Sequence, residues 1–233
     1  RRWLATKIAT PRPPPDRRHQ VYEYLDLLVP GETQPPPRPV LLPDAAARDG
    51  VRKYFGDDRA PWIGLIPGAA RGPSKRWPAE RFAAVGRRLM ADGFGRVAVF
   101  GAAGETALCA ETARAVGPSA RSFAGMTSLE EWAALLQACR IVIANDSGGA
   151  HLAAAVGTPV VAVFGATDPA CTAPYGARGR WLQAPGIAGR RDIAPDDPRG
   201  RAALEAISTD EVYGAARDLL AESAPQRFGV GAR

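Results

Sequence analysis

Short apolar runs alternate with amphipathic stretches through most of this chain, and the alternation sets in near residue 61. Ile63-Gly64-Leu65-Ile66, Arg96-Val97-Ala98-Val99-Phe100, Ile141-Val142-Ile143-Ala144 and Val160-Val161-Ala162-Val163-Phe164 are nearly unbroken hydrophobic segments. Such runs suit parallel strands covered on both faces, where no position is left to water. Residues 180–183 read as one further strand. The first amphipathic stretch follows Pro78, whose fixed φ suits a first helical turn, and turns Phe82, Val85, Leu89 and Met90 inward. A second covers residues 105–116. A third starts at Ser128, spaced from Glu131 as in a capping box, and directs Trp132, Leu135 and Leu136 to the core. A last helix begins at Ser208, spaced likewise from Glu211, and runs to residue 221. Strand and helix alternating in this way predict a doubly wound α/β domain over residues 60–222.

Outside that span the pattern weakens. Residues 1–20 are basic and Pro-rich, which suits an extended surface segment. Val21-Tyr22-Glu23-Tyr24-Leu25-Asp26-Leu27-Leu28 reads as a short amphipathic helix, ended by Gly31 and Pro35-Pro36-Pro37. A linker then runs to residue 60, interrupted by a helical stretch at 45–55. Residues 165–179 read as a loop, 185–204 as a polar Pro/Gly/Arg-rich excursion, and 223–233 as a tail.

Composition narrows the choice of function. With 46% apolar and 23% charged residues among 233, the chain buries a sizeable core and is not disordered as a whole. No window holds the roughly 18 apolar residues of a membrane-spanning helix. The opening Arg-Arg-Trp-Leu-Ala-Thr-Lys has no continuous apolar core and no initiator Met, so it reads as the start of a fragment or processed product rather than a secretory signal. A net charge of +6 favours anionic partners, namely phosphorylated metabolites, nucleic acid or an acidic membrane surface. The plainer explanation is a genome that encodes Arg wherever a solvated charge will do. No nucleic-acid-binding signature accompanies the charge, so that partner is not expected. Cys109, Cys139 and Cys171 form no CxxC pair and no disulfide framework, which points to a reducing, cytoplasmic setting. His19 and His151 are too few for a His-rich metal site.

Ligands on doubly wound sheets sit at the carboxyl ends of the strands, so the loops there carry the chemistry. The most informative is Asn145-Asp146-Ser147-Gly148-Gly149-Ala150-His151, where a buried strand runs into a small-residue helix. Glycines let a ligand approach the backbone, and the free N–H groups of a helix start make an anion site suited to a diphosphate. On this reading a β-branched residue at Gly148 or Gly149 blocks the ligand. His151 falls in the first turn, within reach of the same anion. The alternative is a structural turn capped by Asp146 or Ser147, with His151 incidental. A second loop, Pro67-Gly68-Ala69-Ala70-Arg71-Gly72-Pro73-Ser74-Lys75-Arg76-Trp77-Pro78, carries three cations. Lys75 suits a phosphate as a point charge, with Arg71 and Arg76 shaping the field, unless the loop is merely solvated. In Phe100-Gly101-Ala102-Ala103-Gly104-Glu105 the carboxylate suits ribose hydroxyls, or else a helix start. Phe164-Gly165-Ala166-Thr167-Asp168-Pro169 reads as a structural turn.

Together these segments, with Ala124-Gly125-Met126-Thr127-Ser128-Leu129, resemble the C-terminal half of the ADP-heptose:lipopolysaccharide heptosyltransferases, glycosyltransferase family 9, in a heptosyltransferase II-like pattern. The resemblance covers residues 60–222. It implies a GT-B fold: two Rossmann-like domains across a cleft, the C-terminal one holding the nucleotide sugar. On that basis residues 1–59 are the end of the acceptor domain plus a linker. The resemblance places Lys75 on the phosphates as the leaving group departs, Glu105 on the ribose, and Met126 and Thr127 beside the adenine. It places Asp146, Ser147, Gly148, Gly149 and His151 around the diphosphate and sugar, with Arg71 nearby. It implies inverting transfer of a heptose from ADP-heptose to the lipopolysaccharide inner core, without a cofactor or metal, at the inner face of the inner membrane. Helix N-terminus and cations then take the electrostatic role of a metal.

Two features depart from that family. Its general base is an Asp of the N-terminal domain, which this chain nearly lacks, so the chain is expected to hold the donor but not to complete transfer alone. Its relatives often carry Cys and His before the last helix, whereas residues 185–205 here have neither. Two other readings compete: a non-catalytic nucleotide-sugar-binding module, and another GT-B enzyme such as a UDP-sugar epimerase. Calorimetry with ADP and UDP separates the enzymes, and a transfer assay with a supplied N-terminal domain separates out the module.

Overall fold

A computed structural model describes residues 19–29, 34–56, 60–185, 194 and 196–222. The Pro-rich opening, most of the 186–195 stretch and the tail beyond 222 lie outside the described residues. The elements, in order, are α1 (Gln20–Leu28), α2 (Ala45–Phe55), β1 (Trp62–Ile66), α3 (Ala79–Ala91), β2 (Arg96–Val99), α4 (Thr106–Val116), β3 (Ala120–Ser122) and α5 (Leu129–Gln137). They continue with β4 (Cys139–Asn145), α6 (Gly148–Ala155), β5 (Val160–Phe164), α7 (Pro169–Thr172), β6 (Gly179–Gln183), α8 (Pro198–Ala206) and α9 (Thr209–Ala221). The six strands are all parallel, in the order β3-β2-β1-β4-β5-β6. The chain therefore winds outward one way from β1, returns through α5, and winds the other way from β4. Between β1 and β4 lies the switch point, where the flanking connections diverge and leave a crevice.

The period-2 alternation of the strands divides the core in two. Ile63, Leu65, Val97, Val99, Ile141, Ile143, Val161 and Val163 pack beneath α3, α4 and α9. Their neighbours Trp62, Ala98, Phe100, Val142, Ala144, Val160, Ala162 and Phe164 pack beneath α2, α5 and α6. With both faces covered, the unbroken apolar runs are accounted for. Ser128 and Ser208 cap α5 and α9 in the reciprocal arrangement expected from their spacing to Glu131 and Glu211.

Several elements depart from the sequence expectation. β3 is a three-residue edge strand of Ala-Arg-Ser, without an apolar run to betray it. Part of the 165–179 loop forms α7, and the 185–204 excursion ends in α8. Each starts with Pro at an early helical position and is capped by the preceding residue, Asp168 or Asp197. Trp132 is only half-buried, and Met90 packs at the margin of the core.

Leu89 is fully buried between α3 and the sheet. Leu89→Ala is expected to cost about 2–5 kcal/mol, as large-to-small core changes do. Urea denaturation checks this, and a loss under about 1 kcal/mol contradicts such tight packing.

Candidate functional site

The carboxyl ends of β1 and β4 are fastened together by one side chain. Asn145, the last residue of β4, is fully buried, and its Oδ1 accepts the backbone N–H of Trp77 at 2.8 Å. Its Nδ2 donates to the carbonyls of Pro67 at 2.8 Å and Gly68 at 3.3 Å. Both ends of the 67–77 loop are thus held to the strand that precedes α6. The Trp77 indole N–H donates to the Ile207 carbonyl, and Arg76 donates twice to the Ala69 carbonyl. The loop is a braced structure rather than a solvated basic segment.

That brace aims Lys75 at Asp146. Lys75 Nζ lies 2.6 Å from Asp146 Oδ2, with side chains only 14% and 7% exposed. The same oxygen accepts from Thr167 Oγ1 at 2.8 Å, so the turn after β5, expected to be merely structural, contributes a donor to the site. On the other side of the loop, Glu105 lies 3.8 Å from Arg76 and accepts the Ala102 N–H at 3.0 Å. Its carboxylate braces a helix start and also lines the cleft. A Cβ on Gly68 would fall within 2.5 Å of that carboxylate, so the Glu105 side chain rests against the Gly68 backbone.

The start of α6 has no side-chain cap. Ser147 occupies the N-cap position in extended conformation without capping, and its buried Oγ has no hydrogen-bond partner. Asp146 is turned to Lys75 instead. A first helical turn has no intrahelical acceptor for its N–H groups, so those of Gly148 and Gly149 are available to an outside anion. The two glycines serve different ends. A Cβ on Gly148 meets nothing within 4 Å, so that face is open. A Cβ on Gly149 would lie 2.8 Å from Ile66 Cδ1 and 3.4 Å from Trp132 Cζ2. Neither glycine has positive φ. Gly149 is therefore constrained by packing as well as by its place on the cleft wall.

Two cavities meet at this helix start. One, of about 730 Å³, includes Ile66, Gly68, Glu105, Leu129, Trp132, Leu152 and Pro174 in its walls. The other, of about 750 Å³, includes His19, Gln20, Val21, Tyr24, Arg71, Lys75, Asp146 and Thr172. They share Pro39, Ala69, Ala70, Ser147, Gly148, His151 and Tyr175, so they form one cleft, chiefly apolar at one end and charged at the other. Arg71, Lys75, Glu105, Asp146, Ser147, Gly148, Gly149 and His151 all border it, as the motifs predict. Met126 and Thr127 do not. Met126 is exposed, and its carbonyl accepts the Tyr54 hydroxyl at 3.2 Å.

Sequence reasoning missed several lining residues. Pro39 comes from the linker, and His19 caps α1 while its Nε2 bonds the Ala173 carbonyl at 2.7 Å. Tyr175 packs against the His19 ring with centroids 5.1 Å apart. Nothing in their local pattern marks them, because only the tertiary fold brings α1 to the 172–175 loop. His151 opens onto the cleft, yet the protein around it removes enough water to lower its pKa. His19 and Lys75 push the same way, while Asp146 and the Thr172 backbone oppose. The positive end of α6 also disfavours the imidazolium.

Comparison with known proteins places the sequence and the fold. The model for glycosyltransferase family 9 (heptosyltransferase) matches residues 2–187. The chain is 34% identical over 156 residues to lipopolysaccharide heptosyltransferase 2 of Salmonella typhimurium, covering 63% of this chain and 44% of that protein. It is 35% identical over 158 residues to lipooligosaccharide heptosyltransferase 2 of Haemophilus influenzae, covering 64% and 45%. The chain thus spans about half the length of the curated relatives it matches. Among solved structures, Escherichia coli ADP-heptose LPS heptosyltransferase II superimposes with TM-score 0.70 at 28% identity, covering 82% of this chain and 56% of that one. A family 9 glycosyl transferase from Veillonella parvula gives TM-score 0.74 at 26% identity, covering 91% and 63%.

Gly149→Val is expected to destabilise the domain by about 1–3 kcal/mol through overpacking against Ile66 and Trp132. Unchanged urea stability contradicts that contact. His151 binds its proton less readily folded than unfolded, so its contribution to stability is complete above the ordinary imidazole value of about 6.5 and is lost as pH falls through it. Between pH 7.5 and 5.5 the parent should therefore lose more stability than His151→Gln, and equal losses contradict the lowered pKa.

Proposed function

Because this chain belongs to glycosyltransferase family 9, the heptosyltransferases, we propose that it is the donor-binding part of an inverting glycosyltransferase that moves a heptose from ADP-heptose to the lipopolysaccharide core. The observation that carries this reading is the uncapped start of α6, opening through Gly148 onto a cleft at the β1/β4 switch point. A helix start carries roughly half a positive charge and a set of unfilled N–H donors, the chemistry a diphosphate needs. The E. coli relative is named for ADP-heptose, which supports that donor.

In this reading the diphosphate rests on Ser147 and Gly148, with the nucleoside toward the apolar end and the sugar toward Lys75 and Asp146. Charge grows on the diphosphate as the glycosidic bond breaks, and donors already in place stabilise it without rearranging. Lys75 adds a cation whose position is fixed by its bond to Asp146. Glu105 has free acceptor capacity facing the cavity for ribose hydroxyls. No cofactor and no divalent metal enter this scheme. The base that activates the acceptor hydroxyl belongs to the N-terminal domain of the complete enzyme, and the acceptor reaches the charged end of the cleft from that side. Among the described residues no helix is long and apolar enough to cross a membrane. Contact with the inner membrane in this scheme is therefore made through a surface or through other parts of the protein.

Calorimetry with ADP tests the reading. Gly148→Val should fold normally and lose ADP binding, because its side chain fills the space in front of the helix start. Lys75→Met should weaken ADP by about 1.5–3 kcal/mol, the range for a hydrogen bond to a charged group. Since that variant leaves Asp146 without its cation, Lys75→Met with Asp146→Asn serves as the folded control. Unchanged ADP affinity in Gly148→Val removes the diphosphate from α6, and with it the donor reading.

A further inference from the structure

We propose that Thr167 is a positioning residue of the donor site: its hydroxyl takes up part of the Asp146 charge and so leaves Lys75 to the diphosphate. The inference rests on the donor-site reading above, and it gives the turn after β5 a role beyond shape. Thr167 is 1% exposed, and its Oγ1 donates to Asp146 Oδ2 at 2.8 Å. Lys75 Nζ donates to that same oxygen at 2.6 Å. The other buried threonines among the described residues spend their hydroxyls on the backbone. Thr112 donates to the Leu108 carbonyl and Thr158 to the Leu136 carbonyl, each at 2.8 Å. Thr167 is aimed at a charge instead.

The turn that carries Thr167 is fixed from three sides, which gives the hydroxyl one direction. Gln183, the last residue of β6, donates Nε2 to the Thr167 carbonyl at 2.6 Å and to the Gly165 carbonyl at 3.2 Å. At Gly165 the backbone lies so close to α8 that a Cβ would stand 2.9 Å from the Gly200 carbonyl. On the far side, Asp168 caps α7 by accepting the Ala170 N–H at 2.9 Å. A carboxylate oxygen that accepts two donors divides its charge between them. The Lys75 ammonium has three N–H groups, one of which is directed at Asp146. With the hydroxyl in place Asp146 draws less strongly on that ammonium, and an anion in the cleft meets more of its charge. Without it, a carboxylate only 7% exposed depends mainly on Lys75 and competes harder with an incoming diphosphate.

The test measures ADP and inorganic pyrophosphate binding by calorimetry in the parent, Thr167→Val and Thr167→Ser. Valine keeps the side-chain volume without the hydroxyl, serine keeps the hydroxyl, and near-UV circular dichroism verifies the fold. Thr167→Val should weaken both ligands roughly three- to tenfold, the worth of one hydrogen bond, while Thr167→Ser stays near the parent. Should Thr167→Val fail to fold, Thr167→Ser against Thr167→Ala makes the same comparison, since both lack the methyl group and only one has the hydroxyl. Asp146→Asn removes the charge that competes for Lys75, so it should tighten ADP. Adding Thr167→Val to it should then weaken ADP no further. Equal ADP affinity in parent and Thr167→Val overturns the role of Thr167 and leaves the donor reading intact. So does ADP binding that is no tighter in Asp146→Asn. A loss shared by Thr167→Ser, or one that persists in the Asp146→Asn background, also overturns it, because either means that the turn only supports the fold. If the parent binds neither ligand, the donor reading fails and this inference fails with it.

Discussion

The buried amide of Asn145 is the joint on which the ligand cleft depends. A doubly wound sheet creates a crevice at its switch point by topology alone, but a crevice is not a site until its rims are fixed. Asn145 does this with three bonds from one fully buried side chain, two donated to the start of the 67–77 loop and one accepted from its end. No water competes for these bonds, and each backbone group would otherwise be buried without a partner. Truncating Asn145 would free both ends of the loop at once, and with them the direction of Lys75.

The second constraint is electrostatic. An anion site next to a buried carboxylate looks self-defeating, and the Lys75–Asp146 pair resolves the conflict. Asp146 is nearly inaccessible to water, so its charge needs both Lys75 and Thr167. In return it holds Lys75 in one position, whereas an exposed lysine would lose side-chain entropy on binding. The pair is close to neutral, so the field at the cleft is set by the α6 start and by the cations on the rim. On the proposed donor reading, an incoming diphosphate would share Lys75 with Asp146 instead of displacing it. A pair of this kind contributes to positioning more than to stability, since desolvation offsets most of the Coulomb attraction.

How much of this was legible in the sequence follows from which features are local. The strands of the core were readable because burial on both faces leaves an unbroken apolar run. The starts of α5 and α9 were readable because a capping box is a spacing of three residues. The place of the loops was readable: Lys75, Glu105, Asp146 and Ser147 all border the cleft. What the sequence hid was whichever property depends on a distant partner. Gly148 and Gly149 are identical neighbours, and only the positions of Ile66 and Trp132 separate the open one from the packed one. α8 was obscured by its Pro-Arg-Gly-Arg start, and its backbone packs so close to the turn after β5 that the Gly200 carbonyl lies 2.9 Å from where a Cβ on Gly165 would stand. Asp146 looked like a helix cap, and Ser147 did too. Neither caps α6, and the vacancy is what makes the helix start usable.

The placement of α1 shows how a segment of weak pattern acquires a role. None of its residues is buried, so packing alone does not hold it on the domain. It is held at its first turn, where His19 Nδ1 accepts the Val21 N–H at 3.1 Å while Nε2 faces the Ala173 carbonyl at 2.7 Å. A carbonyl only accepts, and Val21 N–H only donates, so the ring is required to be the neutral Nε2–H tautomer. The same ring packs on Tyr175, whose hydroxyl lies 3.3 Å from that of Tyr22. His19 therefore seats α1 against the 172–175 loop, and this seating gives the charged end of the cleft its outer wall.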